Sequence, residues 1–297
     1  MPVRYWALII VLGIGWGSSM FFNEILLREL GPLQTGFGRV GLGAAGCWLW
    51  LFAAGTRKPV NTVFLRDVAI FGVLQYAAPL VIFPAAQQFI TSGEAGVVNA
   101  TTPIMVVIFS HFWPGGEKAT LVRSLGVLCG FAGIVVLALP ALRAGAEGEF
   151  GGLLFCLLAP ICYGIAVNWF RRLRGHDATE ITAWSLLFGA MILLPVAGVF
   201  EGVPDIRHGE TWAALLFIGF ALTSAAFILL FWLLPRIGAT RTSTITFITP
   251  VSAVLLGTVF LGERLLPEHL AGMAAIFAGL LLIDGTLLRR LGILRTA

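Results

Sequence analysis

Charge is scarce in this sequence. Only 11 % of its 297 residues are Asp, Glu, Lys or Arg, where a soluble domain carries about 25 %. Hydrophobic residues make up 58 % and the mean hydropathy is +0.94. A chain so poor in charge has too few polar groups to cover a globular surface, so lipid must be the solvent for much of it. Cysteine is scarce as well. Cys47, Cys129, Cys156 and Cys162 all fall in apolar runs, with no Cys-x-x-Cys pair and no loop holding two. That argues against a disulfide framework or a zinc site, and no metal or cofactor is expected. His-Glu-x-x-His and Gly-x-Ser-x-Gly are both missing, which weakens an enzyme reading, and no catalytic residue is assigned. Residues 36–41, GFGRVG, fit a dinucleotide-binding fingerprint by letter. They open an apolar helix, with no preceding strand and no acid about 20 residues on, so close helix packing explains the glycines.

What is there is a series of long apolar runs. A span needs about 20 residues. Ten candidates occur, near 5–24, 33–54, 67–90, 95–113, 120–140, 150–170, 180–200, 211–233, 241–261 and 268–288. The first lacks a small-x-small cleavage site and is read as a retained helix rather than a signal peptide. With the N-terminus inside, the inner segments hold fourteen Lys and Arg, among them Arg57, Lys58, Arg289, Arg290 and Arg295, and the outer loops hold four. The bias toward the cytoplasmic side predicts ten helices with both termini cytoplasmic. It also accounts for the pI near 9.2 without a nucleic-acid partner.

The chain is written twice. TTP at 101–103 answers ITP at 248–250, GEK at 116–118 answers GER at 262–264, and GVLCGFAGIVVL at 126–137 answers GMAAIFAGLLLI at 272–283. The offset is 146–147 throughout. The front of each half matches more weakly, with Trp16-Gly17 on Tyr163-Gly164. The expected fold is therefore all-α, integral to the membrane, with one five-helix repeat over 1–145 and a second over 146–297. Five is odd, so the second half must enter the membrane from the opposite face. Inverted repeats of this kind recur in secondary transporters, with a substrate site near the midplane between the halves.

Ten helices, WGSS at 16–19, Arg39 in the second helix, and TP…GE(K/R)…G…FAG in both halves resemble the drug/metabolite transporter superfamily, EamA-type branch. The aromatic inner faces are similar to those of YddG-type exporters of aromatic amino acids. The resemblance implies export of small metabolites or amino acids across the bacterial inner membrane. It also implies a central cavity shared by the first, third, fourth, sixth, eighth and ninth helices.

The residues offer candidates for that cavity. GIGWGSSMFF at 13–22 removes bulk from one helix, so that a neighbouring helix or a substrate can approach. Trp16 at bilayer depth needs its N–H met by a water-accessible cavity or by a nearby helix. Ser19 follows on the same helix, and Tyr163 and Asn168 sit at comparable depth in the sixth. Gln75, Pro79 and Phe83 share a face by i, i+4, i+8 spacing beside Tyr76, and the prolines free backbone carbonyls. Thr223 and Phe227 lie one turn apart. Asn99, Thr102, Thr242 and Thr246 either hold a zwitterion's polar groups or bond their own helix backbone. Glu24 and Arg39 are expected near the outer face as an ion pair that gates the exit or braces the first hairpin. No apolar run has a carboxylate at its centre, so proton coupling through a buried acid has no support. The expected partners are a small-molecule substrate and the bilayer, and the oligomeric state is left open.

Overall fold

The structure, a computed structural model, describes residues 3–55 and 60–285. Arg57, Lys58, Arg289, Arg290 and Arg295 of the charge-bias argument lie outside the described residues. Ten helices follow one another: α1 (Val3–Leu26), α2 (Pro32–Ala54), α3 (Thr62–Ala86), α4 (Ser92–Phe112), α5 (Leu121–Ala144), α6 (Glu147–Leu173), α7 (Ala178–Phe200), α8 (Gly209–Ile237), α9 (Ile245–Phe260) and α10 (Pro267–Asp284). All but α9 are long and apolar enough to cross a membrane on that ground alone. Large apolar side chains such as Phe112, Leu121, Val199 and Phe200 point outward, as they do where lipid is the solvent.

The short α9 departs from the expected run over 241–261. A separate turn, Ala239–Thr242, precedes it. Hydroxyls cause the break: Thr242 Oγ1 donates to the Gly238 carbonyl at 2.9 Å and Thr246 Oγ1 to that of Ser243 at 2.6 Å. α4 is interrupted as well, a few residues beyond the matching place, at Ala100–Thr101, where Thr101 and Thr102 donate to the carbonyls of Val98 and Asn99 at 2.7 and 2.8 Å. Pro103 lacks the N–H that would have continued the ladder across the break in α4.

The two-fold relation between the halves is visible in which helices touch. α1 packs on α9 as α6 packs on α4, and α2 packs on α8 as α7 packs on α3; α2 meets α7 and α5 meets α10. Each of these contacts crosses from one half to the other. The repeated glycines explain the tightest of them. A Cβ on Gly126 would stand 2.7 Å from the Gly279 carbonyl oxygen, and one on Gly133 2.7 Å from that of Gly272. Gly126 and Gly272 are repeat mates, as are Gly133 and Gly279, so one motif read twice builds both sides of the α5–α10 crossing.

Local winding is duplicated too. α3 and α8 each contain a stretch of wider, i→i+5 hydrogen-bonded turns, at Val73–Ala77 and Phe217–Ala225. These stretches overlap under the repeat offset. Such widened turns insert a residue into the helix and release carbonyls from regular pairing.

Candidate functional site

Between the halves lies a cavity of about 410 Å³, within the range of small-molecule sites. α1, α3, α4, α6, α8 and α9 wall it, and α2 contributes Arg39. GIGWGSSMFF can now be explained. Gly17 faces α9, where a Cβ would run into the Ser252 hydroxyl and the Thr249 carbonyl, and Gly13 faces Ile248. The repeat mate of Gly17, Gly164, faces Met105 of α4, where a Cβ would come to 2.9 Å. The glycines thus serve helix contact, and the aromatic residue before each of the mated pair, Trp16 or Tyr163, turns into the cavity.

The rings form two groups. Trp16 meets Phe227 with centroids 5.3 Å apart, and Phe227 meets Tyr76 edge-on at 5.3 Å. Phe83 meets Tyr163 at 6.4 Å. The Trp16 N–H is satisfied by protein, donating to the Leu222 carbonyl at 3.1 Å. That carbonyl belongs to the widened turns of α8, so the unusual winding supplies the acceptor that a membrane-depth Trp needs. Tyr76 is almost wholly buried, and its hydroxyl donates toward Thr182 Oγ1 at 3.5 Å.

Twelve of the fourteen residues picked from the sequence line this cavity: Trp16, Ser19, Gln75, Tyr76, Phe83, Asn99, Thr102, Tyr163, Thr223, Phe227, Thr242 and Thr246. Pro79 and Asn168 do not. The i+4 count from Gln75 to Pro79 assumed regular winding; the widened turns at Val73–Ala77 shift the register by one, so Leu80 takes the inward place. Asn168 is fully buried against α4, accepting from Ser110 Oγ at 2.8 Å and donating to the Gly164 carbonyl at 2.9 Å. Its oxygen holds α6 to α4, and its NH₂ is spent on its own helix. Thr102 and Thr246 line the cavity, yet their hydroxyl protons go to their own helices. They face inward as acceptors.

The expected Glu24–Arg39 ion pair is not formed. Glu24 accepts from Gln87 Nε2 at 2.9 Å. Arg39 Nε donates to Thr223 Oγ1 and its Nη2 to Ser19 Oγ, both at 3.1 Å. The two belong to different helix faces: Arg39 turns inward under α1 and α8, while Glu24 turns toward the end of α3. Arg39 is therefore the cavity's one charged residue among the described residues that line it. The repeat offset contained the signal for two missed positions. Adding 147 to Phe83 and Thr102 lands on Leu230 and Thr249, which both line the cavity.

The lining of the cavity extends toward one end of the bundle. Toward the arginine-rich end it runs past Leu234, Thr242 and Ser243, beside Arg236 and Arg241. At the other end lies a polar seal, partly within the first half and, through Glu263, across to the second. Asn23 Nδ2 donates to Gln87 Oε1 at 2.8 Å, and Gln87 Nε2 also donates to the Met20 carbonyl at 2.9 Å. Glu263 accepts from the backbone N–H groups of Ser92 and Gly93 at 2.7 and 3.0 Å. Thr91 and Glu94 cap each other: the Glu94 N–H donates to the Thr91 hydroxyl at 3.2 Å and the Thr91 N–H to Glu94 Oε2 at 2.8 Å. All four orphan donors at the start of α4 are thus satisfied, two of them by the other half of the molecule. Gly96 packs on Ala253 below this seal. Its repeat mates, Thr242 or Ser243, face the open cavity instead.

The sequence pattern of the EamA-like transporter family matches the chain twice, over residues 4–139 and 150–284. The uncharacterized transporter YoaV of Bacillus subtilis is 28 % identical over 95 % of this chain and 97 % of its own length. The uncharacterized inner membrane transporter YedA of Escherichia coli is 28 % identical over 92 % of this chain and 89 % of its own. A solved crystal structure shares the fold, with a TM-score of 0.66 at 22 % identity over 97 % of this chain and 99 % of that one.

Proposed function

This chain belongs to the EamA-like transporter family, and on that premise we propose that it exports amino acids, aromatic or bulky neutral ones first, across a bacterial inner membrane. The family makes it a secondary transporter rather than a membrane enzyme. The observation that carries the finer reading is a cavity between two inverted halves, walled by Trp16, Tyr76, Phe83, Tyr163 and Phe227 with few polar groups among them. Offset and edge-on ring contacts favour a flat apolar body. Gln75, Asn99, Thr102 and Thr246 are placed to meet its polar end.

Alternating access supplies the mechanism. With the arginine-rich end cytoplasmic, the cavity in this structure faces inward and the seal at Glu263, Gln87 and Asn23 lies outside. Glu117 is the repeat mate of Glu263. On the open side it holds no helix end and pairs with Arg123 at 3.0 Å. Rocking the halves the other way exchanges the roles: Glu263 lets go of α4, and Glu117 takes the start of the segment that leads into α9.

The test is uptake of a labelled amino-acid panel into proteoliposomes, with and without a pH gradient. Saturable uptake of aromatic amino acids, at least about ten-fold slower in Trp16→Ala or Tyr163→Ala, supports the reading; that loss corresponds to about 1.4 kcal/mol. Uptake confined to small polar amino acids, or unchanged flux in both variants, removes it.

A further inference from the structure

Arg39 does more in this cavity than its hydrogen bonds explain. Its side chain sits in the wall with the residue only 7 % exposed. A guanidinium has five N–H donors. Two of them go to neutral hydroxyls, Thr223 Oγ1 and Ser19 Oγ, each at 3.1 Å. The other three meet no acceptor among the described residues. No carboxylate pairs with it either: the seven ion pairs among the described residues all lie elsewhere. The lining of the cavity contains no Asp or Glu.

A buried charge without a counter-charge is costly, and hydroxyls do not neutralise it. If the role were only to tie α1 and α8 to α2, a neutral Gln reaching the same hydroxyls would serve without that cost. The two bonds hold the guanidinium in the wall of the cavity that Arg39 lines and leave three N–H groups for a ligand there. A planar, fixed fork of this kind matches a carboxylate.

We propose that Arg39 is the anion anchor of the transport site and that the substrate must carry a carboxylate as a single negative charge. One cation balances one anion, which favours a monoanion over a phosphate dianion. With no acid in the lining, an ammonium group finds amide, hydroxyl and carbonyl oxygens and ring faces, none of them a full counter-charge. The positive group of an amino acid is therefore tolerated and not required, so the deaminated acid belongs to the substrate class and the decarboxylated amine does not. Ser19 and Thr223 are positioning residues that aim the guanidinium. This assignment rests on the cavity being the substrate site; it adds the head group to a body already argued from the rings.

The test measures binding to the purified, detergent-solubilised full chain by isothermal titration, using two matched series. One series is phenylalanine, phenethylamine and 3-phenylpropionate; the other is leucine, isoamylamine and 4-methylpentanoate. The expected result is that amino acid and acid bind while the amine binds at least about ten-fold more weakly, the size of one lost charge-assisted contact. Arg39→Gln removes the preference for acid over amine, and Arg39→Lys keeps part of it. An amine bound as tightly as its acid overturns the anchor and leaves the aromatic cavity standing. A split between acid and amine seen only in the leucine series keeps the anchor and removes the aromatic reading. Failure of the folded wild-type protein to bind any of the acids overturns the anchor. The ligand series runs on wild-type protein, so poor folding of Arg39→Gln leaves the comparison of acid with amine intact.

Discussion

Replacing Glu263 by Gln should open the outer end of the transporter. The carboxylate accepts two backbone N–H groups at the start of α4, at 2.7 and 3.0 Å, and it reaches them from the other half of the molecule. Gln offers one oxygen and turns an NH₂ toward the second donor. The loss is one charge-assisted hydrogen bond, about 1.5–3 kcal/mol, and part of the favourable interaction with the helix end, about 0.3–1 kcal/mol. A net loss of roughly 2–3 kcal/mol changes the ratio of sealed to open outer ends by roughly 30- to 150-fold. Val97 is a suitable reporter. It is 1 % exposed and lines the small void behind Glu263. In a background with the four native cysteines replaced by alanine, Val97→Cys should react slowly with an impermeant maleimide applied from outside. Adding Glu263→Gln should accelerate that reaction by tens of fold. An unchanged rate in protein with wild-type thermal stability would refute the idea that this carboxylate holds the outer end shut.

Other changes test separate parts of the account. Glu117→Gln should have the opposite sign on the same reporter, slowing Val97→Cys labelling, because Glu117 is assigned to the inward-closed state; its present pair with Arg123 is exposed and worth at most about 1 kcal/mol. Asn168→Ala should lower stability by about 1–3 kcal/mol by orphaning Ser110, with substrate affinity unchanged in a binding titration. Gly279→Ala places a methyl 2.5 Å from the Gly126 carbonyl oxygen and should cost about 1–3 kcal/mol, read as a lower thermal midpoint. Gly151→Ala, with open space around the added carbon, is the neutral control. In the loop after α1, hydrogen bonds from Thr211 first, and then from His208 and Arg207, hold the Glu29 carboxyl down at about 2. Its unfolded value is about 4.3, so its contribution is present above about pH 4 and fades as pH falls toward 2. Glu29→Gln should remove that acid limb from a stability-versus-pH curve.

The fold was legible because its evidence is periodic and duplicated. Apolar runs fix the helices, and the repeated GE(K/R) and G…FAG stretches, an odd five helices apart, dictate inversion. The same stretches proved to be contact surfaces, with Gly126 on Gly279 and Glu263 on α4. The cavity was partly legible, since large aromatic and amide groups at membrane depth need a wall to face. What failed were inferences requiring exact rotation. Pro79 was misplaced because nothing in the sequence around 73–77 announces widened turns. Asn168 was misplaced because a buried amide that bonds a neighbouring helix looks, in one dimension, like one that faces a ligand. Glu24 and Arg39 were paired on depth and opposite charge, but pairing depends on helix face, and each found neutral partners nearer. Leu230 and Thr249 were recoverable by reflecting Phe83 and Thr102 through the repeat offset.

The central claim is that one cavity, shared by two inverted halves, is exposed alternately to the two sides. Counterflow tests it most directly. Proteoliposomes are loaded with an unlabelled substrate, diluted into buffer containing a trace of the same substrate labelled, and followed in time. Alternating access predicts a transient accumulation of label above its equilibrium level, driven by exchange, and absent without internal substrate. Label that enters at the same rate and stops at equilibrium whether or not the vesicles were loaded would contradict the account.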